Sequence, residues 1–215
     1  MTPEGIGPVC LVTGGNGYVG KHLVRRLLEL GCEVRAFDLT PFKGDSRVTS
    51  IVGDIRNMSD IGPACEGADT VFHAAAVINT LTFARPSIRR EVYGVNVSGT
   101  ECVIRACHKA RVKRLIYTSS IAVAPIPIHD ADETAPYVGT DPLPDLYSQT
   151  KRDAEKLVLA ANDDDGLRTA AVRPGGVWGP GEGAITVQGF LEHLAAGDFR
   201  LMIGNGKSVT DNVHV

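Results

Sequence analysis

No run of apolar residues in this chain approaches the ~20 needed to cross a bilayer. The longest stretches, such as Val9-Cys10-Leu11-Val12, hold only a few residues. Neither sign of charge dominates: 22 Lys and Arg stand against 25 Asp and Glu, for a net charge of −3. The basic footprint that a phosphate backbone requires is therefore missing, and nucleic acid is not an expected partner. The opening Met-Thr-Pro-Glu-Gly lacks a basic n-region and an apolar h-region, so no secretory leader is expected and the chain reads as cytoplasmic. The five cysteines (Cys10, Cys32, Cys65, Cys102, Cys107) contain no CxxC pair and stand at irregular spacing. That argues against a disulfide framework and against a zinc site, and no metal is expected. They read as small buried hydrophobes; Cys102 and Cys107 do not share a helix face and so make a poor disulfide. Internal repeats and low-complexity linkers are absent as well.

What is present is enough for a core: 215 residues, 43% hydrophobic, with 24 Gly, suit one ordinary domain or one and a part. Val9 to Thr13 reads as a buried strand, and a glycine-laden turn leads into the helical spacing of Lys21 to Leu28. Gly31 stands where a left-handed cap would end that helix, and Glu33 to Asp38 forms a second strand. The alternation repeats. Val48 to Val52 is strand-like, Ser59 is placed to cap a short helix ending near Cys65, and Thr70 to His73 is a brief strand. Helical spacing runs from about Ile88 to Ala110, Arg114 to Tyr117 is strand, Tyr147 to Ala161 helix and Arg168 to Arg173 strand. Strands alternating with helices imply an α/β, Rossmann-type doubly wound parallel sheet with helices on both faces.

Two stretches depart from this rhythm. Residues 124–146 carry Pro125, Pro127, Pro136, Pro142 and Pro144 and read as a loop; long loops in compact domains are commonly functional. Ser208 to Val215 stops in what reads as the start of a strand, so the chain is expected to be the N-terminal part of a longer one. The acidic run Asp163-Asp164-Asp165 reads as a solvated loop.

Between the first strand and the first helix lies Thr13-Gly14-Gly15-Asn16-Gly17-Tyr18-Val19-Gly20. Gly14 allows a tight turn, Gly17 lets the backbone approach a pyrophosphate, and Gly20 lets the helix lie close to the sheet. The free N–H groups and positive dipole end of that helix then face the phosphates. The second strand ends in Asp38, 18 residues after Gly20. A carboxylate there accepts ribose 2′- and 3′-hydroxyls and repels a 2′-phosphate, which favours NAD over NADP. Gly53-Asp54-Ile55 after the third strand offers a carboxylate and a backbone N–H to the adenine edge. After the fourth strand, Ala74, Ala75 and Ala76 leave room for the middle of the cofactor. Asp54 also fits a turn cap, and His73 reads as a structural core histidine.

Tyr147-Ser148-Gln149-Thr150-Lys151 sets a phenol and an ammonium on one helix face. A tyrosine with a pKa of ~10 needs ~4 kcal/mol to ionise near neutrality. A solvated lysine contributes only ~0–1 kcal/mol. The remainder must come from a closed site and a positive oxidised nicotinamide, so the pair makes chemical sense beside a bound cofactor.

Together with Asn96-Val97-Ser98-Gly99-Thr100, Tyr117-Thr118-Ser119-Ser120 and Arg173-Pro174-Gly175-Gly176-Val177-Trp178-Gly179-Pro180, these segments resemble an extended short-chain dehydrogenase/reductase in the family's order over nearly the whole chain. Tyr-Thr-Ser-Ser, the Arg173–Pro180 segment and the closing Asp-Asn-Val-His-Val resemble most closely the 3β-hydroxysteroid dehydrogenase branch, including its sterol-4-carboxylate 3-dehydrogenase members. The resemblance implies that Tyr147 takes the proton of a secondary alcohol as hydride passes to the nicotinamide. It implies that Lys151 lowers the pKa of Tyr147 and holds the nicotinamide ribose, and that Ser120 hydrogen-bonds the substrate oxygen. Ser119 is the alternative, since adjacent strand residues point to opposite faces. The resemblance also places Tyr18 and Val19 in the cofactor turn, Asn96 beneath the cofactor, and Pro174 and Val177 beside the nicotinamide carboxamide.

On this reading, residues 1–215 are most of an NAD-binding domain, with 180–215 entering a substrate-binding region built largely from later segments. Gly181 to Phe199, with Phe190, Leu191 and Leu194 at helical spacing, reads as core packing or an apolar wall. The expected substrate is a small molecule, a steroid or sterol. A nucleotide-sugar epimerase or dehydratase is the first rival; a dinucleotide-sensing regulator is the second, although such proteins typically lack the tyrosine or lysine. A homodimer is possible, and membrane contact would need an apolar stretch beyond Val215.

Overall fold

The computed structural model describes residue 5 and residues 7–80, 84–125, 132–140, 144–181, 192, 194–197 and 212–215. Two compact units divide the chain, Met1–Arg173 and Pro174–Val215. The first unit holds strands β1 (Val9–Thr13), β2 (Glu33–Asp38), β3 (Thr49–Val52), β4 (Thr70–His73), β5 (Arg114–Thr118) and β6 (Arg168–Val172). All pair in parallel in the order β3-β2-β1-β4-β5-β6. The order reverses at β1, and ligands of open α/β sheets bind beyond the strand C-termini at such a switch point.

Strand β1 shows why the sheet must be covered twice. Cys10 and Val12 pack with Val24 and Leu27 of helix α1 (Tyr18–Glu29), whereas Leu11 packs with Ile61, Val103 and Leu115 on the other face. Successive strand side chains point to opposite faces, and both faces of a parallel sheet are buried. Helices α2 (Met58–Cys65), α4 (Thr100–Ala110) and α5 (Leu146–Ala160) contribute to the second cluster. All five cysteines are buried and free; burial, then the neighbouring Cys32, pushes the Cys10 thiol up to about 12.

The expected elements are present, with two local differences. Ser59 does not cap α2; Asn57 occupies that position, and the Ser59 hydroxyl donates to Asp60. The expected helix over 88–110 begins at Pro86 and is interrupted. Helix α3 (Pro86–Tyr93) passes into a π-helical turn, Gly94–Gly99, before α4. Such wide turns are rare, and they cluster at functional sites. Gly31 has φ +79, as a left-handed cap requires.

The second unit contains two parallel strands, β7 (Gly176–Trp178) and β8 (Asn212–His214). The Trp178 and His214 rings meet edge to face at 4.8 Å. The expected strand near the chain end is seen over 212–214; residues 208–211, Phe190 and Leu191 lie outside the described residues, and Leu194 is 56% exposed. Among the described residues no helix is long and apolar enough to cross a membrane, and no His, Cys, Asp and Glu cluster could hold a metal ion.

Candidate active site

The turn after β1 is built by close backbone approaches that only glycine permits. Gly14 has φ +70, and a Cβ there would lie 2.7 Å from the Ala75 nitrogen; a Cβ on Gly20 would lie 2.0 Å from the Gly14 oxygen. Helix α1 is thereby seated directly on the turn. A Cβ on Gly17 would approach only the Gly14 oxygen, at 3.1 Å, so space is open beside that backbone. No side chain caps α1, so the first-turn N–H groups of Tyr18, Val19 and Gly20 have no intrahelical acceptor and the positive dipole end is available to an anion.

A cleft of about 400 Å³ extends from this turn. Gly14, Asn16, Gly17, Asp38, Ile55 and Ala75 line it, with Ala74, Ala76 and Asp54 beside them. Asp38 is held ready: Oδ2 accepts from the Asn16 backbone N–H at 2.9 Å and Oδ1 from the Leu39 N–H at 2.8 Å. Each oxygen keeps a lone pair for a ligand hydroxyl. Asp54 makes the contact of the turn-cap alternative, its Oδ1 accepting from the Arg56 backbone N–H at 2.9 Å. Both its oxygens are taken by Arg56, at 2.5–3.0 Å, and that bonding holds its carboxyl below the usual range. Its neighbour Ile55 is buried at the edge of the cleft.

Beneath the turn, a line of buried hydrogen bonds crosses the sheet. His73 Nδ1 meets Thr13 Oγ1 at 2.7 Å, and His73 Nε2 meets Thr100 Oγ1 at 2.9 Å. Thr100 spends its proton on the Asn96 carbonyl at 2.6 Å. The hydroxyl must then accept from Nε2–H, which leaves Nδ1 to accept from Thr13. Burial, aided by the charge of Lys151, depresses the His73 pKa to about 3, so the ring is neutral and structural. Both polar atoms of the Asn96 side chain are bonded: Oδ1 accepts from Val77 N–H at 2.7 Å, and Nδ2 donates to Val77 O and Thr150 Oγ1, each at 2.9 Å. The π-turn places this carboxamide between the 74–77 segment and α5.

Helix α5 starts with an Asp145 cap, whose Oδ1 accepts from the Ser148 N–H at 3.1 Å. Tyr147 and Lys151 follow on one face. Lys151 is 2% exposed, donates to the Thr118 carbonyl at 2.5 Å, and lies 4.4 Å from the Tyr117 ring centre and 5.9 Å from that of Tyr147. Desolvation lowers its pKa to about 7, against the opposing pull of Glu155. Burial raises the Tyr147 pKa, and a hydrogen bond with Ser120 acts in the opposite direction. Ser120, which also accepts from the Ala122 N–H at 3.2 Å, is thus brought to the phenol. Ser119 points away and donates to the buried carboxylate of Glu155.

The expected residues of the first unit gather beside the C-terminal ends of β1, β2, β3, β4 and β5. Pro174 and Val177 belong to the second unit, where Val177 pairs with Val213. Sequence reasoning missed Glu155 and Tyr137. The spacing of Glu155, four residues beyond Lys151, was a readable signal; Tyr137 carried none.

The 3-beta hydroxysteroid dehydrogenase/isomerase family model matches residues 11–215. The chain is 40% identical to a 3-beta-hydroxysteroid dehydrogenase of Mycolicibacterium neoaurum, over 95% of this chain and 57% of that protein. It is 38% identical to a mouse sterol-4-alpha-carboxylate 3-dehydrogenase, decarboxylating, over 94% of this chain and 54% of that protein. The chain thus spans a little over half the length of these curated relatives. Among solved structures, MoeE5 in complex with UDP-glucuronic acid and NAD is similar with a TM-score of 0.78 and 30% identity, over 97% of this chain and 68% of that one. The Thermus thermophilus UDP-glucose 4-epimerase complex with NAD has a TM-score of 0.76 and 26% identity, over 96% and 70%.

Proposed function

The chain belongs to the 3-beta hydroxysteroid dehydrogenase/isomerase family, and from that premise we propose that the whole protein oxidises the 3β-hydroxyl of a steroid or sterol, with NAD as cofactor. The convergence of Ser120, Tyr147 and Lys151 at the end of β5 carries this reading, in a chain 36–40% identical to proteins named for that substrate class.

The glycine cradle and the donor set fit a dinucleotide. The Gly14–Gly20 turn and the free N–H groups of α1 would hold the pyrophosphate, Asp38 the adenosine ribose hydroxyls, and Ile55 with Asp54 would border the adenine. Ala74, Ala75 and Ala76 would give the middle of the cofactor room, above the 74–77 backbone that Asn96 fixes. NAD held there would supply the acceptor for the hydride of the carbinol carbon. Tyr147 takes the hydroxyl proton, and Ser120 donates a hydrogen bond to the substrate oxygen as its charge develops. Lys151 supplies positive charge beside the phenol and a donor for the nicotinamide ribose. Asp38, by repelling a 2′-phosphate, selects NAD over NADP.

A second reading, a nucleotide-sugar epimerase or dehydratase, is favoured by the fold shared with MoeE5 in complex with UDP-glucuronic acid and NAD. Incubating the whole protein and NAD with a 3β-hydroxysteroid separates the two. Growth of NADH absorbance supports the steroid reading; no growth, with turnover of a nucleotide sugar, replaces it.

A further inference from the structure

Glu155 is a fully buried carboxylate that the proposed chemistry does not use, yet three side chains from three other segments converge on it. Ser119 Oγ donates to Oε2 from the end of β5. Tyr137 donates its hydroxyl proton to Oε1 at 2.9 Å from the 132–140 segment. Arg173, just past β6, donates to Oε1 through Nη2 at 2.6 Å and Nε at 3.0 Å, and through Nε to Oε2 at 3.3 Å. Burial pushes this carboxyl up, but the bonds from Arg173, Ser119 and Tyr137 outweigh it and hold the group below its usual value.

This hub sits in register with the acid–base residues. Tyr147, Lys151 and Glu155 recur at intervals of one helical turn along α5. Three consecutive residues of β5 and its extension meet them, though not in chain order: the Ser120 hydroxyl with Tyr147, the Thr118 carbonyl with Lys151, and Ser119 with Glu155. The 132–140 segment lies on the same helix, since Arg152 donates to the Val138 and Gly139 carbonyls at 3.0 and 3.1 Å. Val138 N–H in turn donates to Val123 O at 2.7 Å, in the turn that begins after Ser120.

We propose that Glu155 is a positioning residue: through Ser119 it fixes the register in which Ser120 and the Thr118 carbonyl meet Tyr147 and Lys151. The inference rests on the Ser/Tyr/Lys reading of the site but not on the choice of substrate. Because strand side chains alternate, anchoring Ser119 on the buried side commits Ser120 to the other. The bonds from Arg173 and Tyr137 hold the anchor itself still.

The test is tyrosine labelled with 13C at Cζ, the Tyr147 resonance being identified by its loss in Tyr147→Phe. Its shift at neutral pH reports the hydrogen bond to its hydroxyl. In folded Ser119→Ala and Glu155→Gln the shift moves in the same direction as in Ser120→Ala. Ser119→Ala leaves the Glu155–Arg173 pair intact, and it carries the test if Glu155→Gln does not fold. A Tyr147 shift identical to that of the unmodified protein in folded Ser119→Ala overturns the proposal. The readout needs no substrate, so inactivity of the unmodified protein toward steroids would remove the proposed function and leave this result standing.

Discussion

Asn96 grips Val77 at both of its backbone polar groups, accepting from its N–H at 2.7 Å and donating to its C=O at 2.9 Å. A side-chain amide here does what a neighbouring strand would do, for a segment that follows β4 and lines the cleft beside the glycine turn.

Replacing Asn96 with Ala strips partners from Val77 and from Thr150 together. Each buried polar group left unpaired costs ~1–3 kcal/mol, so Asn96→Ala should lower the denaturation midpoint markedly and weaken NAD binding. Denaturant titration and cofactor fluorescence check both. Unchanged values would mean that water replaces the amide without loss.

Burying Lys151 has a cost, and its sign is fixed by the direction of its shift. The folded-state pKa is lowered to about 7, below the ~10.4 of an unfolded lysine. The unfolded chain therefore binds more protons between these values. The penalty is fully present below about pH 7 and fades as pH rises toward ~10.4. Lys151→Met should therefore raise stability at neutral pH by up to a few kcal/mol, with the gain shrinking on the alkaline side, while turnover falls. Denaturation at several pH values reads the trend, and a gain that grew with pH would contradict it.

His73 works in the other half of the pH range. Its folded-state pKa, about 3, lies below the ~6.5 of the free side chain. Stability contributed by the neutral ring is thus lost as pH falls from ~6.5 toward 3. His73→Gln should destabilise the protein at neutral pH, because the bonds to Thr13 and Thr100 are lost. Between pH ~6.5 and ~5 that deficit should narrow by ~2 kcal/mol. A deficit independent of pH would mean that the ring titrates in the folded state as it does in the unfolded chain.

The layout of the sheet was legible because its cause is local. Apolar strands such as Val9–Thr13 alternate with amphipathic helices such as α1, and that alternation admits few topologies. The break at Gly94–Gly99 was not legible, because its Asn96 answers to Val77 and Thr150, partners distant in sequence. The same holds for the two serines. Alternation says that only one can face the ligand, but the one turned away is identified by Glu155, 36 residues further along. For Asp54 the sequence left two roles open, a border to the adenine and a turn cap; the cap contact is local, since the arginine that bonds it is only two residues on.

The most direct test of the account compares Tyr147→Phe with the unmodified whole protein in oxidation of a 3β-hydroxysteroid by NAD. The substitution removes one hydroxyl and leaves the ring. Turnover should fall by ~10²–10⁴, the usual worth of a general base, with NAD affinity little changed. Turnover equal to that of the unmodified protein would contradict the assignment of proton transfer to this phenol.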